Sequence, residues 1–189
     1  DVRGWDEIPV PSNLEIQGYC TPIYSNIRYP HLRQPPKIIG DVPADFTAAK
    51  EPNPVGSYST TFTVPKKWDE REVFIHFEGV ASAFYLWING EKVGYSEGSR
   101  TPAEFRITQY LQGGQNVLAV EVYRWSDGSY LEDQDFWRLS GIFRDVYLFS
   151  TPAVQLRDMF VLSDLDQQYR DAQVRITAKV RNLSDRPAK

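Results

Sequence analysis

SAFYLWINGEKVGYSEG, Ser82 to Gly98, is the stretch on which the fold turns. Asn89-Gly90 supplies the positive φ angles of a tight turn, and FYLWI and KVGYS flank it with residues that favour strands. The segment therefore predicts a β-hairpin. Alternation with Leu86 and Ile88 assigns Tyr85 and Trp87 to the core rather than to a ligand platform. Upstream, SYSTTFTVP predicts a strand ended by Pro65, and EVFIHFEGV a second, with Val73, Ile75 and Phe77 on one face. Downstream, EFRITQYL predicts a strand running into a short turn. VLAVEVYRW follows with Val117, Ala119, Glu121 and Tyr123 on one face and Leu118, Val120, Val122 and Arg124 on the other. GIFRDVYLFS predicts one more strand.

Residues 1–57 are irregular, because IPVPSN, PIYSNIRYP, RQPPKIIGDVP and EPNPVG all interrupt regular elements. Many short strands with Gly/Pro turns at roughly 10-residue spacing predict an all-β chain, a jelly-roll β-sandwich over 1–150. Thr151-Pro152 marks a boundary. Beyond it, VQLRDMFVLSDL and DAQVRITAKVRNL predict two strands, which cannot bury a core alone. Residues 151–189 are thus expected to be the truncated start of a second β-sandwich, docked on the first or with edges open to pairing between molecules. The oligomeric state stays open.

Bulk composition removes several classes of function. The net charge of −4 argues against nucleic acid as a partner, since phosphate binding needs clustered Lys and Arg. Cys20 stands alone, so no internal disulfide forms, and the 2 histidines, His31 and His76, lack zinc spacing. No apolar run reaches the roughly 20 residues of a membrane span, and no signal peptide is visible. The chain opens abruptly, as an excised segment would, so the compartment stays open between cytoplasm and periplasm.

RWSDGSYLEDQDFWRLSGIFRDVYLF, Arg124 to Phe149, carries the chemistry. Asp127, Glu132, Asp133 and Asp135 lie among Trp125, Tyr130, Phe136 and Trp137. Carboxylates against aromatic faces suit a hydroxyl-rich ligand or a hard cation. If 131–137 is extended, Leu131, Asp133 and Asp135 share one face, with the two carboxylates about 7 Å apart. The competing reading is a solvated loop whose acids pair with Arg124, Arg138 and Arg144. Asp127-Gly128 is ordinary turn chemistry. A second cluster, Tyr19, Tyr24 and Tyr29 with Asn13 and Asn26, fits either sugar contacts or a covering loop. A glycosidase needs two carboxylates about 5–10 Å apart with one raised in pKa, and no residue here is marked for that role. No catalytic residue is assigned.

In this order, VPSNLEIQGYCTPIYSNIRYP, PNPVGSYSTTF, GVASAFYLWINGEKVGYSEGSRTPAEFRIT and NVLAVEVYRWSDGSYLEDQDFWRLSGIFRDV resemble the N-terminal part of the β-galactosidases of glycoside hydrolase family 2. The resemblance runs from about Ile8 to Leu148. Related β-glucuronidases and β-mannosidases share a jelly roll and a G-I-x-R-x-V element, whereas the RWSDGSYLEDQD run is characteristic of the β-galactosidases.

The resemblance implies a sugar-binding jelly roll, then an immunoglobulin-like sandwich, then a TIM barrel that carries two catalytic glutamates and has no counterpart in this chain. It implies that Asp135 binds a galactosyl hydroxyl and helps ligate a monovalent cation, Na⁺. Asn26 would contact the sugar from the same side. Asp127 and Glu97 match positions that hold a structural divalent ion, Mg²⁺ or Ca²⁺; at Glu97 the family pattern carries an amide. Asp133 or Glu132 would pair with neighbouring arginines to hold Asp135. The segment from His31 to Asn53 is longer than in the best-known members. The implied partners are a galactoside and the remaining domains of a parent enzyme, without nucleic acid or membrane. A stand-alone carbohydrate-binding module and a non-catalytic scaffold are the competing functions.

Overall fold

The computed structural model describes residues 2–38, 40, 43–44, 46–47 and 52–187. Among them the regular elements are strands and three short 3-10 turns, Lys66–Trp68, Thr108–Tyr110 and Asp127–Tyr130. No helix is long and apolar enough to cross a membrane. Of the segment from His31 to Asn53, positions 39, 41, 42, 45 and 48–51 lie outside the described residues.

The hairpin forms where the Asn-Gly turn requires it. β1 (Ile23–Ser25) and β2 (Val55–Thr63) precede β3 (Glu72–Phe77) and β4 (Val80–Ala81); then come β5 (Ala83–Ile88) and β6 (Glu91–Glu97). Asn89 and Gly90 take φ of 53° and 85°, the pair of positive angles that matches the twist of both strands. β7 (Ala103–Arg106) and β8 (Gln115–Tyr123) follow. The turn is fastened to β8: Asn89 Oδ1 accepts the Val117 N–H at 2.9 Å, and its Nδ2 donates to Asn116 Oδ1 at 2.8 Å. Asn116 is fully buried and also donates to the Gln112 and Gly114 carbonyls, so its amide is satisfied where an orphan would cost heavily.

β9 (Phe136–Arg138), β10 (Gly141–Ile142) and β11 (Val146–Thr151) complete the sandwich. One antiparallel sheet has the order β2-β8-β5-β6 and the other β11-β3-β7. The chain alternates between them. Val73, Ile75 and Phe77 of β3 meet Phe84, Leu86 and Ile88 of β5 and Val120 and Val122 of β8 in one core. Val73, Ile75 and Phe77 share a face as expected, and of the two faces of β8 the one with Leu118, Val120 and Val122 meets the core.

Two expectations are corrected. Tyr85 and Trp87 are not core. With Phe84, Leu86 and Ile88 turned inward, period two puts them on the outer face, where Tyr85 packs against Tyr95 at 4.9 Å and Tyr123 at 6.0 Å. GIFRDVYLFS is not one strand: β10 pairs with β4, and β11 with β3. Both partners bend at the same level. A Cβ at Gly79 would lie 2.9 Å from the Phe143 ring, so the close approach of that ring requires glycine at the bend between β3 and β4.

Beyond Thr151, β12 (Val154–Leu165) and β13 (Ala172–Asn182) pair with each other over their whole length. Their register gathers Leu156, Met159, Val161, Leu165, Val174, Ile176 and Val180 on one face, and all of these are exposed. Arg157 reaches back to Glu104 of β7 across 3.1 Å. Leu86 is fully buried at the centre of the main core. Leu86→Ala is expected to destabilise the fold by about 2–5 kcal/mol, measured by denaturant unfolding, through lost transfer energy plus a residual cavity.

Candidate functional site

The small sheet of β1 and β9 pairs Ile23 with Arg138, Tyr24 with Trp137 and Ser25 with Phe136. Ile23 and Ser25 are buried, so alternation turns Tyr24 and Trp137 to solvent. Asn26 and Asp135 are the next residues along the two antiparallel chains and are exposed on the same side. Tyr24, Asn26, Asp135 and Trp137 thus form one outward-facing quartet. The Tyr24 hydroxyl donates to Asp135 Oδ1 at 2.5 Å, and the Tyr24 and Trp137 rings lie 5.8 Å apart. Asn26 Oδ1 accepts the Ile27 N–H at 2.8 Å, which holds the amide against its own backbone.

The acidic run is not extended over 131–137. Its first part is the 3-10 turn Asp127–Tyr130, and only Phe136–Arg138 is strand. Asp133 and Asp135 consequently diverge instead of sharing a face. Asp133 turns inward to Arg138, whose guanidinium also donates through Nε to Ser25 Oγ at 2.9 Å, through Nη2 to the Gln134 carbonyl at 2.6 Å and through Nη1 to the Glu132 carbonyl at 3.3 Å. One buried cation closes the turn around itself and leaves Asp135 pointing out. Among the described residues Glu132 forms no ion pair with an arginine. Its two oxygens accept the Ser99 N–H at 2.7 Å and the Ser99 hydroxyl at 2.6 Å, tying the turn to the end of β6.

A second buried pair stands behind the first. Glu15 and Arg124 approach to 3.4 Å with both side chains almost wholly enclosed. Arg124 donates to the carbonyls of Thr21 at 2.7 Å and Arg138 at 3.1 Å. Glu15 accepts the N–H and hydroxyl of Ser140, each at 2.7 Å. The sequence offered no sign that Glu15, in the Pro-rich segment, would be an interior acid, because only tertiary packing brings it to Arg124. The tyrosine-amide cluster also divides. Asn13 donates to the Ser140 carbonyl, Tyr19 to Asp6 and Tyr29 to the Tyr130 carbonyl, so only Tyr24 and Asn26 reach the quartet.

Glu97 and Asp127 meet elsewhere, where β6 ends beside the 3-10 turn. Glu97 accepts the Gly128 N–H at 2.6 Å and the Tyr95 hydroxyl at 2.8 Å. Burial opposes its ionisation, but the hydrogen bonds it accepts, from the Gly128 N–H and the Tyr95 hydroxyl among them, outweigh this and hold the carboxyl below its ordinary value of 4.5. Hard oxygen donors are the right chemistry for a divalent ion. Two carboxylates are nevertheless a partial set, and among the described residues no group of three or more His, Cys, Asp or Glu gathers to hold a metal.

An exposed ring pair, amide and carboxylate on the rim of an all-β sandwich have the chemistry of a carbohydrate-facing surface: rings cover apolar sugar faces while the polar groups meet hydroxyls. The chain belongs to glycoside hydrolase family 2, since residues 1–152 match the model "Glycosyl hydrolases family 2, sugar binding domain". A β-galactosidase of Priestia megaterium is 54% identical over 94% of this chain, and one of Vibrio cholerae 48% identical over 97%. The chain spans only 17% of the length of each. A β-glycosidase from Bacteroides vulgatus superposes with a TM-score of 0.61 at 29% identity, covering 71% of this chain and 17% of that one.

Because the folded pKa of Glu97 is depressed, its contribution to stability is fully present above the unfolded value and is lost as pH falls through the folded one. Glu97→Gln is therefore expected to flatten the acid limb of the melting temperature below about pH 4.5. Thermal unfolding of both proteins between pH 3 and 7 (roughly the span that brackets a carboxylate) checks this.

Proposed function

We propose that this chain is the N-terminal sugar-binding segment of a retaining β-galactosidase that hydrolyses terminal β-D-galactosides. The observation that carries the reading is the outward quartet of Tyr24, Asn26, Asp135 and Trp137 in a chain 54% identical to a β-galactosidase. On this reading Asp135 receives a galactosyl hydroxyl, and Asn26 contacts the sugar from the neighbouring strand. The catalytic glutamates lie in a TIM-barrel domain of the parent protein. Residues 1–150 form the jelly-roll domain and 151–189 the opening strands of an immunoglobulin-like sandwich, whose apolar face is covered by the rest of that domain.

Metal binding is a general property of the β-galactosidases of this family. Asp135 would take part in holding Na⁺, since an exposed carboxylate is a hard donor suited to that ion. When bound, the ion supplies positive charge beside the sugar. Glu97 and Asp127 would hold Mg²⁺ or Ca²⁺ together with further ligands from outside the described residues. The surroundings of Asp135 favour a binding role, because it stands exposed beside two aromatic rings with the Tyr24 hydroxyl donating to Oδ1.

In the parent enzyme, Asp135→Ala should lower kcat/KM for a chromogenic galactoside by about 10- to 100-fold, the worth of a hydrogen bond to a charged group. Kinetics equal to wild type would overturn the role of Asp135. The 189-residue chain alone should release no chromophore from the same substrate. Turnover by the pure chain would place catalysis within it and refute the division of labour. Micromolar binding of galactose by this chain in calorimetry would instead favour a stand-alone carbohydrate-binding module.

A further inference from the structure

Asp135 is exposed, on a turn just outside β9, and a carboxylate so placed rotates freely unless something holds it. Among the described residues one side chain does. The Tyr24 hydroxyl stands 2.5 Å from Asp135 Oδ1, in the range of a charge-assisted O–H···O⁻ bond. Tyr24 is itself fixed, by its register with Trp137 across the β1/β9 pair and by the ring contact at 5.8 Å. Backbone pairing thus brings the phenol beside the carboxylate, and the hydrogen bond joins them.

We infer that Tyr24 is a positioning residue that anchors Asp135 through Oδ1 and directs Oδ2 toward the ligand. This rests on the reading of Asp135 as a sugar contact and deepens it. A carboxylate offered by one oxygen in a fixed direction can select the position of a hydroxyl, whereas a freely rotating one meets several positions at similar cost. The arrangement divides the work in the quartet. Trp137 holds Tyr24, Tyr24 holds Asp135, and Asp135 meets the ligand.

The test is a double-mutant cycle in the parent enzyme, with Tyr24→Phe made alone and in an Asp135→Asn background. Tyr24→Phe deletes one oxygen and keeps the ring, so the melting temperature should not move. It should raise KM for a chromogenic galactoside, and Kd for a thiogalactoside measured by calorimetry, by about 3- to 10-fold, the lower range for a charged hydrogen bond at an exposed site. The kcat should change less. In the Asp135→Asn background the same substitution should alter KM and Kd less than about twofold, because there is no charge left to position. Equal losses in both backgrounds would mean that Tyr24 meets the sugar independently, and no loss in either would mean that the bond does nothing; each overturns the inference while leaving Asp135 in place. Wild-type KM and Kd in Asp135→Asn itself would overturn this inference together with the reading beneath it.

Discussion

The Arg138 guanidinium organises the candidate site. It belongs to β9 and reaches both β1 and the turn that precedes it, donating to Ser25 of β1, to Asp133 and to the carbonyls of Glu132 and Gln134. A planar fork with five donors can satisfy that many acceptors at fixed angles, where the point charge of a lysine could not. Burial draws this guanidinium below its ordinary value while Asp133 opposes the shift, so the carboxylate compensates for the lost hydration. Without the pair, the turn from 131 to 135 loses the contacts that close it, and the β1/β9 ladder loses its side-chain tie.

Behind it, Arg124 and Glu15 do the same for the irregular N-terminal segment. Proline-rich chain builds few ladders, so several of its groups bond across to the sandwich instead. Ser140 gives its N–H and hydroxyl to Glu15, and the Thr21 carbonyl accepts from Arg124. Two buried ion pairs in series thus fasten a covering loop to a sandwich whose own stability comes from the Val73-to-Val122 core. The layers answer to different physics: the sandwich to apolar burial, the rim to satisfied polar groups.

That division explains what the sequence disclosed. The hairpin, the residues that share a face in β3 and β8 and the two late strands were legible, because turn chemistry and period two are local. The face of Tyr85 and Trp87 was misread because alternation says which residues share a side but not which side is inside. The extended reading of 131–137 failed because one cation gathers Glu132, Asp133 and Gln134 around itself while also reaching Ser25, 113 positions away. Family resemblance pointed to Asn26 and Asp135, and the register of β1 with β9 sets them side by side. Tyr24 was visible only as one tyrosine among several.

The β12/β13 ribbon has a consequence for the molecule in isolation. Its backbone bonds join only two strands, and the apolar side formed by Leu156, Val161, Ile176 and Val180 meets water. A two-stranded ribbon is marginal by itself, so its amides open by local fraying at far less cost than unfolding of the sandwich. Deuterium should enter the ribbon first and the β5/β8 pair last. The covalent continuity of Phe149 with Val154 therefore joins two regions that need not melt together.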